Sequence, residues 1–415
     1  ASRVLDQTAL RELSGVVTQV QGLGVRVADL PLPVGALVRV ESEGRTSCGE
    51  VVGFDAERTI IMLLGDTTGM RRGDRVVSSA SVGQVPVGQA LVGRVLDALG
   101  RPLDDKGPLR GAHRRPLAAD PMDPMQRVPI DQPLATGVRA VDAMLPVGRG
   151  QRLGIFSGPG IGKSTLLRMI ARQTEADVTV VALIGERGRE VRDFIENALG
   201  PEGLERSVVI AATADEPALM RLRAARYAAC VAEAFRDRGA DVVLFMDSIT
   251  RFCQAQRQVG LAAGEPPATR GYPPSVFAEL PVLLERSGRT RDGSITGFYN
   301  ILVEGDDLTE PVADASRGIL DGHIVLSRDL ASAGHWPAID VLESVSSVSD
   351  SLLEAKHAAS RREVGRTLGA YQEVHDLVSI GAYASGSNGD YDVAIAMKPA
   401  IDTLLCQRPD EAARF

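Results

Sequence analysis

The chain has 415 residues, 44% of them hydrophobic and 24% charged, with a formal net charge of −8. That length exceeds one simple core and favours two or three domains of ordinary soluble composition, while the acidic balance argues against a broad nucleic-acid surface. No basic head precedes an apolar run at the start, and stretches such as VTVVALI are too short to span a bilayer, so any membrane role is expected to be peripheral.

Residues 13–79 read as short strands, LSGVVTQVQGLGVRVADL, ALVRVES, CGEVVGFDAERTIIMLL and DRVVS, broken by glycines and charged turns. This pattern predicts a small N-terminal β-barrel, assigned to 1–80. From 81 to 150 the chain is rich in Gly and Pro, as in VGRVLDALGRPLDDKGPL, and reads as an ordered connector laid along a second domain. Cys48, Cys230, Cys253 and Cys406 lie far apart with no C-x-x-C pair, so free thiols are expected rather than a zinc site or a disulfide framework. Starting on Ala1, the chain is expected to be a trimmed or processed product.

After about 150 the pattern becomes strand, helix, strand, helix. LGIFS, VTVVALIG, SVVIAAT and DVVLFMD read as strands. KSTLLRMIARQ, GREVRDFIENALG (closing at Gly200) and EPALMRLRAARYAACVAEAFRDRG (closing at Gly239) read as helices. Such alternation predicts a parallel sheet covered on both faces. Within GEPPATRGYPPSVFAELP, residues 264–281, five prolines exclude continuous helix or central strand and predict a stiff, exposed loop. Beyond about 350 the chain turns helical, and the third domain is assigned to 346–415.

The chemistry starts at SGPGIGKST, residues 157–165, between the first of these strands and its helix. Glycines there let backbone N–H groups form a nest for phosphate oxygens, and the helix N-terminus adds its positive end. The nucleotide-binding set is Ser157, Gly158, Pro159, Gly160, Ile161, Gly162, Lys163, Ser164 and Thr165, with Lys163 on the β- and γ-phosphates and Ser164 on Mg²⁺. Ser157 stands where the phosphate-loop pattern asks for glycine. Asp247, at the end of a buried strand, is the expected carboxylate partner of the metal shell. Glu186 ends a neighbouring strand and either polarises the attacking water or serves as a helix N-terminal acid.

The segments GERGREVRDFIEN, MDSITRF, AQRQVGLAAGEPPATRGYPPSVFAELPVLLERSG, LVEGDDLTEP and ILDGHIVLSR resemble the type III export ATPases of flagellar and injectisome secretion, relatives of the rotary ATP synthase head subunits. The resemblance extends over nearly the whole chain. It implies an α/β fold, a RecA-like P-loop ATPase core between an N-terminal β-barrel and a C-terminal helical domain. It also implies a Mg²⁺-dependent ATPase in a cytoplasmic homohexamer at the membrane export gate. The implied partners are a stalk-like coiled coil in the central pore, a peripheral regulator, and export substrates with their chaperones. By match of motif, Lys163, Glu186 and Arg187 are catalytic, Asp247 is the Walker B acid, Arg251 lies near the γ-phosphate as a possible phosphate sensor, and Tyr383 packs on adenine. The proline loop is expected to face the central hole and the stalk. The flagellar branch fits better than the injectisome branch.

One departure bears on activity. In PAIDVLESVSSVSD the family's arginine, which reaches the neighbouring subunit's ATP, is replaced by Ser347. An arginine finger contributes roughly 10³- to 10⁵-fold in rate, about 4–7 kcal/mol. Compensation by Arg317, Arg361 or Arg362, an engineered change, and slow hydrolysis are the open explanations. A non-catalytic or slow ring subunit is therefore the alternative reading. An RNA-translocating ring would want an aromatic-rich, basic barrel, whereas the first eighty residues hold one aromatic, Phe54. The chain is also expected to lack most of the family's regulator-binding N-terminal segment and its final helices, and so to form rings weakly.

Overall fold

A computed structural model describes residues 13–55, 57–79, 83–118, 122–303, 305 and 307–413. The ends of the 1–80 assignment, on which the expected shortness of the regulator-binding segment turns, lie outside the described residues.

Six strands, β1 (Ser14–Gln21), β2 (Gly24–Ala28), β3 (Leu37–Ser42), β4 (Arg45–Asp55), β5 (Arg58–Leu63) and β6 (Arg75–Ser78), close into an antiparallel barrel in the order β1-β2-β5-β4-β3-β6. Alternation decides its core: Val17, Val25, Val27, Val38, Val40, Val51, Ile61, Leu63 and Val76 point inward. Closure leaves no free edge to pair with another chain.

The Gly/Pro-rich stretch carries more structure than a connector. It contains the antiparallel pair β7 (Gln84–Val87) and β9 (His113–Pro116), with β8 (Arg94–Asp97) between them in sequence. β8 pairs parallel with a strand of the main sheet and becomes its edge. After the short pair β10 (Pro133–Leu134) and β11 (Val147–Gly148) come β12 (Arg152–Ser157), β13 (Val178–Glu186), β14 (Ser207–Thr213), β15 (Asp241–Asp247), β16 (Gly288–Arg289), β17 (Ser294–Leu302), β18 (Gly322–Leu326) and β19 (Ile339–Ser346). The nine-stranded sheet runs β19-β18-β12-β17-β15-β13-β14-β8, with β16 paired on β17. It is parallel except for β16 on β17 and β19 on β18. Nearly every residue of β13, β15 and β17 is buried, as strands covered on both faces must be. Strands β17 to β19 go beyond the sequence reading, which stopped the sheet at Asp247.

The 188–200 segment runs as Gly188–Asp193 and a π-helical turn, Phe194–Leu199, that closes on Gly200, whose φ of 67° and ψ of 179° leave helical space, before a further short turn, Gly200–Glu205. One helical expectation needs correction. The 264–281 stretch is a loop only in its first half. Pro274–Leu284 is an α-helix with Pro273 as its N-cap and Pro274 in its first turn, where the missing N–H groups are orphans in any case. Residues 266–270 are exposed, and Arg270 sits at φ 49°.

C-terminal helices Ala355–Ser379 and Gly389–Leu405 pack on each other. No helix among the described residues is long and apolar enough to cross a membrane.

The barrel is tied to the sheet domain by a buried ion pair. Arg223, in the long Ala218–Arg236 helix, donates to Glu50 of β4 at 3.1 Å, and both side chains are largely withdrawn from water. Removing one partner leaves an uncompensated charge, at a cost of roughly 3–5 kcal/mol. Glu50→Gln should therefore lower the urea unfolding midpoint clearly, and Glu50→Gln with Arg223→Met should recover most of the loss. Equal stability of the single variant and the wild type would show that the pair does not hold the two parts together.

Candidate functional site

Parallel strands deliver their carboxyl ends to one edge, so residues distant in sequence meet there. β12 ends on Ser157 and leads through the glycine turn into the Lys163–Gln173 helix. Gly160 and Gly162 have φ of 78° and 86°, backbone that other residues adopt only with strain. Gly162 meets a second constraint: a Cβ there would lie 2.5 Å from the Trp336 ring. It is the N-cap of that helix and makes no side-chain cap bond, so the first-turn N–H groups stay available to a ligand.

Lys163 lies between two acids. Its Nζ donates to Asp247 Oδ1 at 2.9 Å and sits 3.7 Å from Glu186 Oε1. Burial acts to lower the ammonium pKa, but the charges of Asp247 and Glu186 outweigh it and hold the pKa above the ordinary value. Asn300, on β17, donates from Nδ2 to the same Asp247 oxygen at 2.6 Å. Burial raises Glu186 most, the hydrogen bond to Glu190 and the charge of Asp247 add to it, and its carboxyl is pushed up to about 8. Glu190 is lowered in exchange, chiefly by that same hydrogen bond.

This arrangement fits a metal-bound triphosphate. Ser157 is 2% exposed, and its buried Oγ has no hydrogen-bond partner. A Cβ built on Gly160 would meet nothing within 4 Å. Ser164 is exposed at the helix start, and Asp247 stands one strand beyond β17 from the cradle. A hydroxyl and a carboxylate of this kind suit the oxygen-only shell of Mg²⁺.

A cavity of about 630 Å³ opens beside the cradle. Gly160, Gly162 and Thr165 line one side of it, and Trp336, Gln407 and Glu411 line another. The 406–411 segment is clamped in place. Gln407 N donates to the Trp336 carbonyl at 2.8 Å, and Gln407 Nε2 donates to the carbonyls of Gly137 and Glu411 at 2.8 and 2.7 Å. Arg139 donates from its backbone N to Gln407 Oε1 at 2.8 Å, and its guanidinium bonds the Cys406 carbonyl and Glu411.

The predicted site residues do not all converge. Ser157, Gly158, Pro159, Gly160, Ile161, Gly162, Lys163, Ser164 and Thr165 form one turn and helix start, and Glu186 and Asp247 flank Lys163. The Arg187 side chain is 84% exposed, and its nearest acid, Glu190, is 4.0 Å away, so it stands off the cluster. Arg251 packs its stem against Gly185, and its Nη1 donates to Gln254 Oε1 at 2.8 Å. Tyr383 requires correction. It lies in the turn between the two C-terminal helices, and its hydroxyl donates to Asp392 and to the Asn388 carbonyl, both at 3.0 Å. It does not line the cavity; the aromatic that does is Trp336. The sequence offered a signal for Trp336, since a lone tryptophan before PAID is an unusual place for a large ring.

Ser347 is exposed just past β19, and its N–H and its hydroxyl both donate to the Asp321 carbonyl. Among the proposed substitutes, Arg361 is engaged with Ser349 at 2.8 Å and Asp350 at 3.6 Å, whereas Arg317 and Arg362 are exposed.

Residues 137–346 match the nucleotide-binding domain of the ATP synthase alpha/beta family. Residues 17–79 match that family's beta-barrel domain, and residues 353–415 match the C-terminal domain of the type III secretion ATPase EscN. The flagellum-specific ATP synthase of Treponema pallidum is 51% identical over 416 residues, covering 99% of this chain and 93% of that relative. The type 3 secretion system ATPase of Xanthomonas euvesicatoria is 46% identical over 422 residues, covering 99% and 96%. Assembled EscN from enteropathogenic E. coli superposes with a TM-score of 0.92 at 40% identity, covering 96% of this chain and 97% of that one. EscN has also been solved in complex with its central stalk, EscO.

Trp336 is the only tryptophan in the chain, so its fluorescence should change when ATP or ADP binds. Base–aromatic stacking contributes roughly 1–3 kcal/mol, so Trp336→Ala should weaken nucleotide binding about tenfold. Unchanged emission on saturation would place the base elsewhere. The raised Glu186 has a second consequence. Its folded-state pKa lies above the unfolded value, so stability is fully present below the unfolded pKa and falls as pH rises toward about 8. Glu186→Gln cannot titrate. Its melting temperature should exceed that of the wild type by a margin that widens from about pH 5 to about pH 8, and a margin independent of pH would exclude this coupling.

Proposed function

We propose the function of this chain from one premise: it belongs to the ATP synthase alpha/beta family and, within it, to the type III export ATPases. The chain hydrolyses ATP to energise type III protein export, in the flagellar branch, whose name dominates among its similar relatives. The observation that carries this reading is Lys163 held between Glu186 and Asp247 at the mouth of the glycine turn.

The residues divide the work. The turn from Ser157 to Gly162 and the first N–H groups of the Lys163–Gln173 helix bind the polyphosphate. Lys163 exchanges its acid partners for the β- and γ-phosphates. Ser164 and Asp247 would hold Mg²⁺, which when bound neutralises phosphate charge and fixes the phosphate geometry. Asn300 fixes the orientation of Asp247. Glu186, once its proton has passed to solvent, accepts a hydrogen bond from the attacking water and aims it at the terminal phosphorus. Trp336 supplies the face on which the base stacks. Arg187 and Arg251 are the guanidiniums available from the two strand ends.

The assembly is a homohexamer with a stalk in its pore, a reading supported by the assembled EscN and its stalk complex. The exposed proline-bounded turn at 266–270 suits the stalk contact, since a donor-poor backbone slides without pairing. The ring works in the cytoplasm at the membrane face of the export gate, with a peripheral regulator and substrate–chaperone complexes as further partners and no nucleic acid. We divide the chain as 1–80, 81–345 and 346–415. Ser347 favours a slow ring over a fast one, because an exposed hydroxyl cannot supply transition-state charge.

ATPase rate measured against protein concentration tests this. Specific activity should rise steeply as rings form, Glu186→Gln should be nearly silent, and Ser347→Arg should gain at least tenfold. A rate independent of concentration would argue for chemistry within one subunit, and no gain from Ser347→Arg would mean that another cation already fills that place.

A further inference from the structure

Trp336 is tied to the C-terminal helices through its chain neighbour as well as through its own carbonyl, which accepts from Gln407 N. His335, one residue earlier, donates from its backbone N to the Leu330 carbonyl at 2.9 Å. Its side chain is only 11% exposed, and Nδ1 stands 3.6 Å from Asp402 Oδ1 on the Gly389–Leu405 helix. Asp402 is itself held. Lys398 Nζ, one turn earlier on that helix, donates to the two carboxylate oxygens at 2.8 and 2.7 Å. The same ammonium lies 5.0 Å from the ring centre of Tyr371 on the Ala355–Ser379 helix. A row of side chains, His335, Asp402, Lys398 and Tyr371, thus runs from beside Trp336 across both C-terminal helices.

Asp402 also governs the facing wall of the cavity. Its carbonyl accepts from Cys406 N at 2.8 Å, which ends the helix and turns the chain into 406–411. Its side chain therefore faces the loop that carries Trp336, while its backbone launches the segment opposite. Burial lowers the imidazole pKa more than Asp402 raises it, and the Lys398 charge adds to the lowering, so the ring is uncharged at neutral pH. A neutral imidazole facing a carboxylate carries its proton on the near nitrogen and donates from there. At 3.6 Å the contact is longer than a finished hydrogen bond. Shortening it draws the Trp336 loop and the 406–411 wall together.

We propose that His335 is a positioning residue for the nucleotide base: by donating to Asp402 it sets the gap between Trp336 and 406–411. This role rests on the stacking of the base on Trp336 proposed above. The phosphate turn has no member in the row, so a ligand without a base does not depend on it.

The test uses the full chain in equilibrium dialysis, with MgADP and, as the probe without a base, magnesium pyrophosphate. His335→Ala should weaken MgADP about three- to tenfold, the size of one hydrogen bond, while pyrophosphate affinity stays within about twofold. His335→Phe keeps a ring in the space without the Nδ1 donor. It should lose as much, and it carries the test if the alanine variant does not fold. His335→Asn, which restores a neutral donor at similar reach, should recover most of the loss. Undiminished MgADP binding in the alanine and phenylalanine variants overturns the role. So does an equal loss of pyrophosphate, or an asparagine variant no better than alanine. Trp336→Ala, measured alongside, separates the two readings: if it binds MgADP as tightly as the wild type, the stacking itself fails and His335 has nothing to position. Weakened Trp336→Ala beside undiminished His335→Ala refutes the role of His335 alone.

Discussion

The structure turns on one ammonium group. Lys163 is positively charged, largely withdrawn from water, and held by Asp247 and Glu186 at the carboxyl edge of the sheet. Each of the three comes from a different strand or the turn after it, so their meeting depends on the order β12-β17-β15-β13. The strand between, β17, adds Asn300, which anchors the same Asp247 oxygen. A buried cation needs these acids, and the acids need the cation. The cluster is therefore stable without a ligand and well suited to exchange one set of oxygens for another.

That balance also explains why the site is stored in a partly disarmed form. Burial, Glu190 and Asp247 raise the Glu186 carboxyl, and the Lys163 ammonium opposes that rise, while Glu190 is lowered. Functional sites accept such costs because the groups that strain the protein also do its chemistry. The surrounding fold absorbs the cost through the nine-stranded sheet, buried on both faces, and through the ion pair that fastens the barrel to the long helix.

Much of this was legible in the sequence wherever signal and function sit in one contiguous run. SGPGIGKST gave both cradle and helix start because glycine placement and capping are local. DVVLFMD and VTVVALIGE gave buried strands that end in acids. Signals that depend on distant partners were lost. RVLD is too short to read as the edge of a nine-stranded sheet, and SITGFYNIL carries a polar residue, Asn300, that makes sense only opposite Asp247. Pro273 and Pro274 look like helix breakers in the sequence, yet at a helix start they are compatible with it. Only family position points to Tyr383, while the ring over the cradle, Trp336, is held by a segment some seventy residues further along the chain.

That last attachment couples two parts of the molecule. One wall of the cavity beside the phosphate turn is supplied by 406–411, which follows the final helix and is fastened to the 137–139 turn through Arg139 and Gln407. On the proposed placement of the base, a bound nucleotide adds its contact energy to the same seam that keeps the C-terminal helices docked on the core. Loosening those helices would dull discrimination of the base while leaving the grip on the phosphates intact. On that placement, whatever pulls on the helical end of this protein from outside has a direct mechanical route to nucleotide exchange.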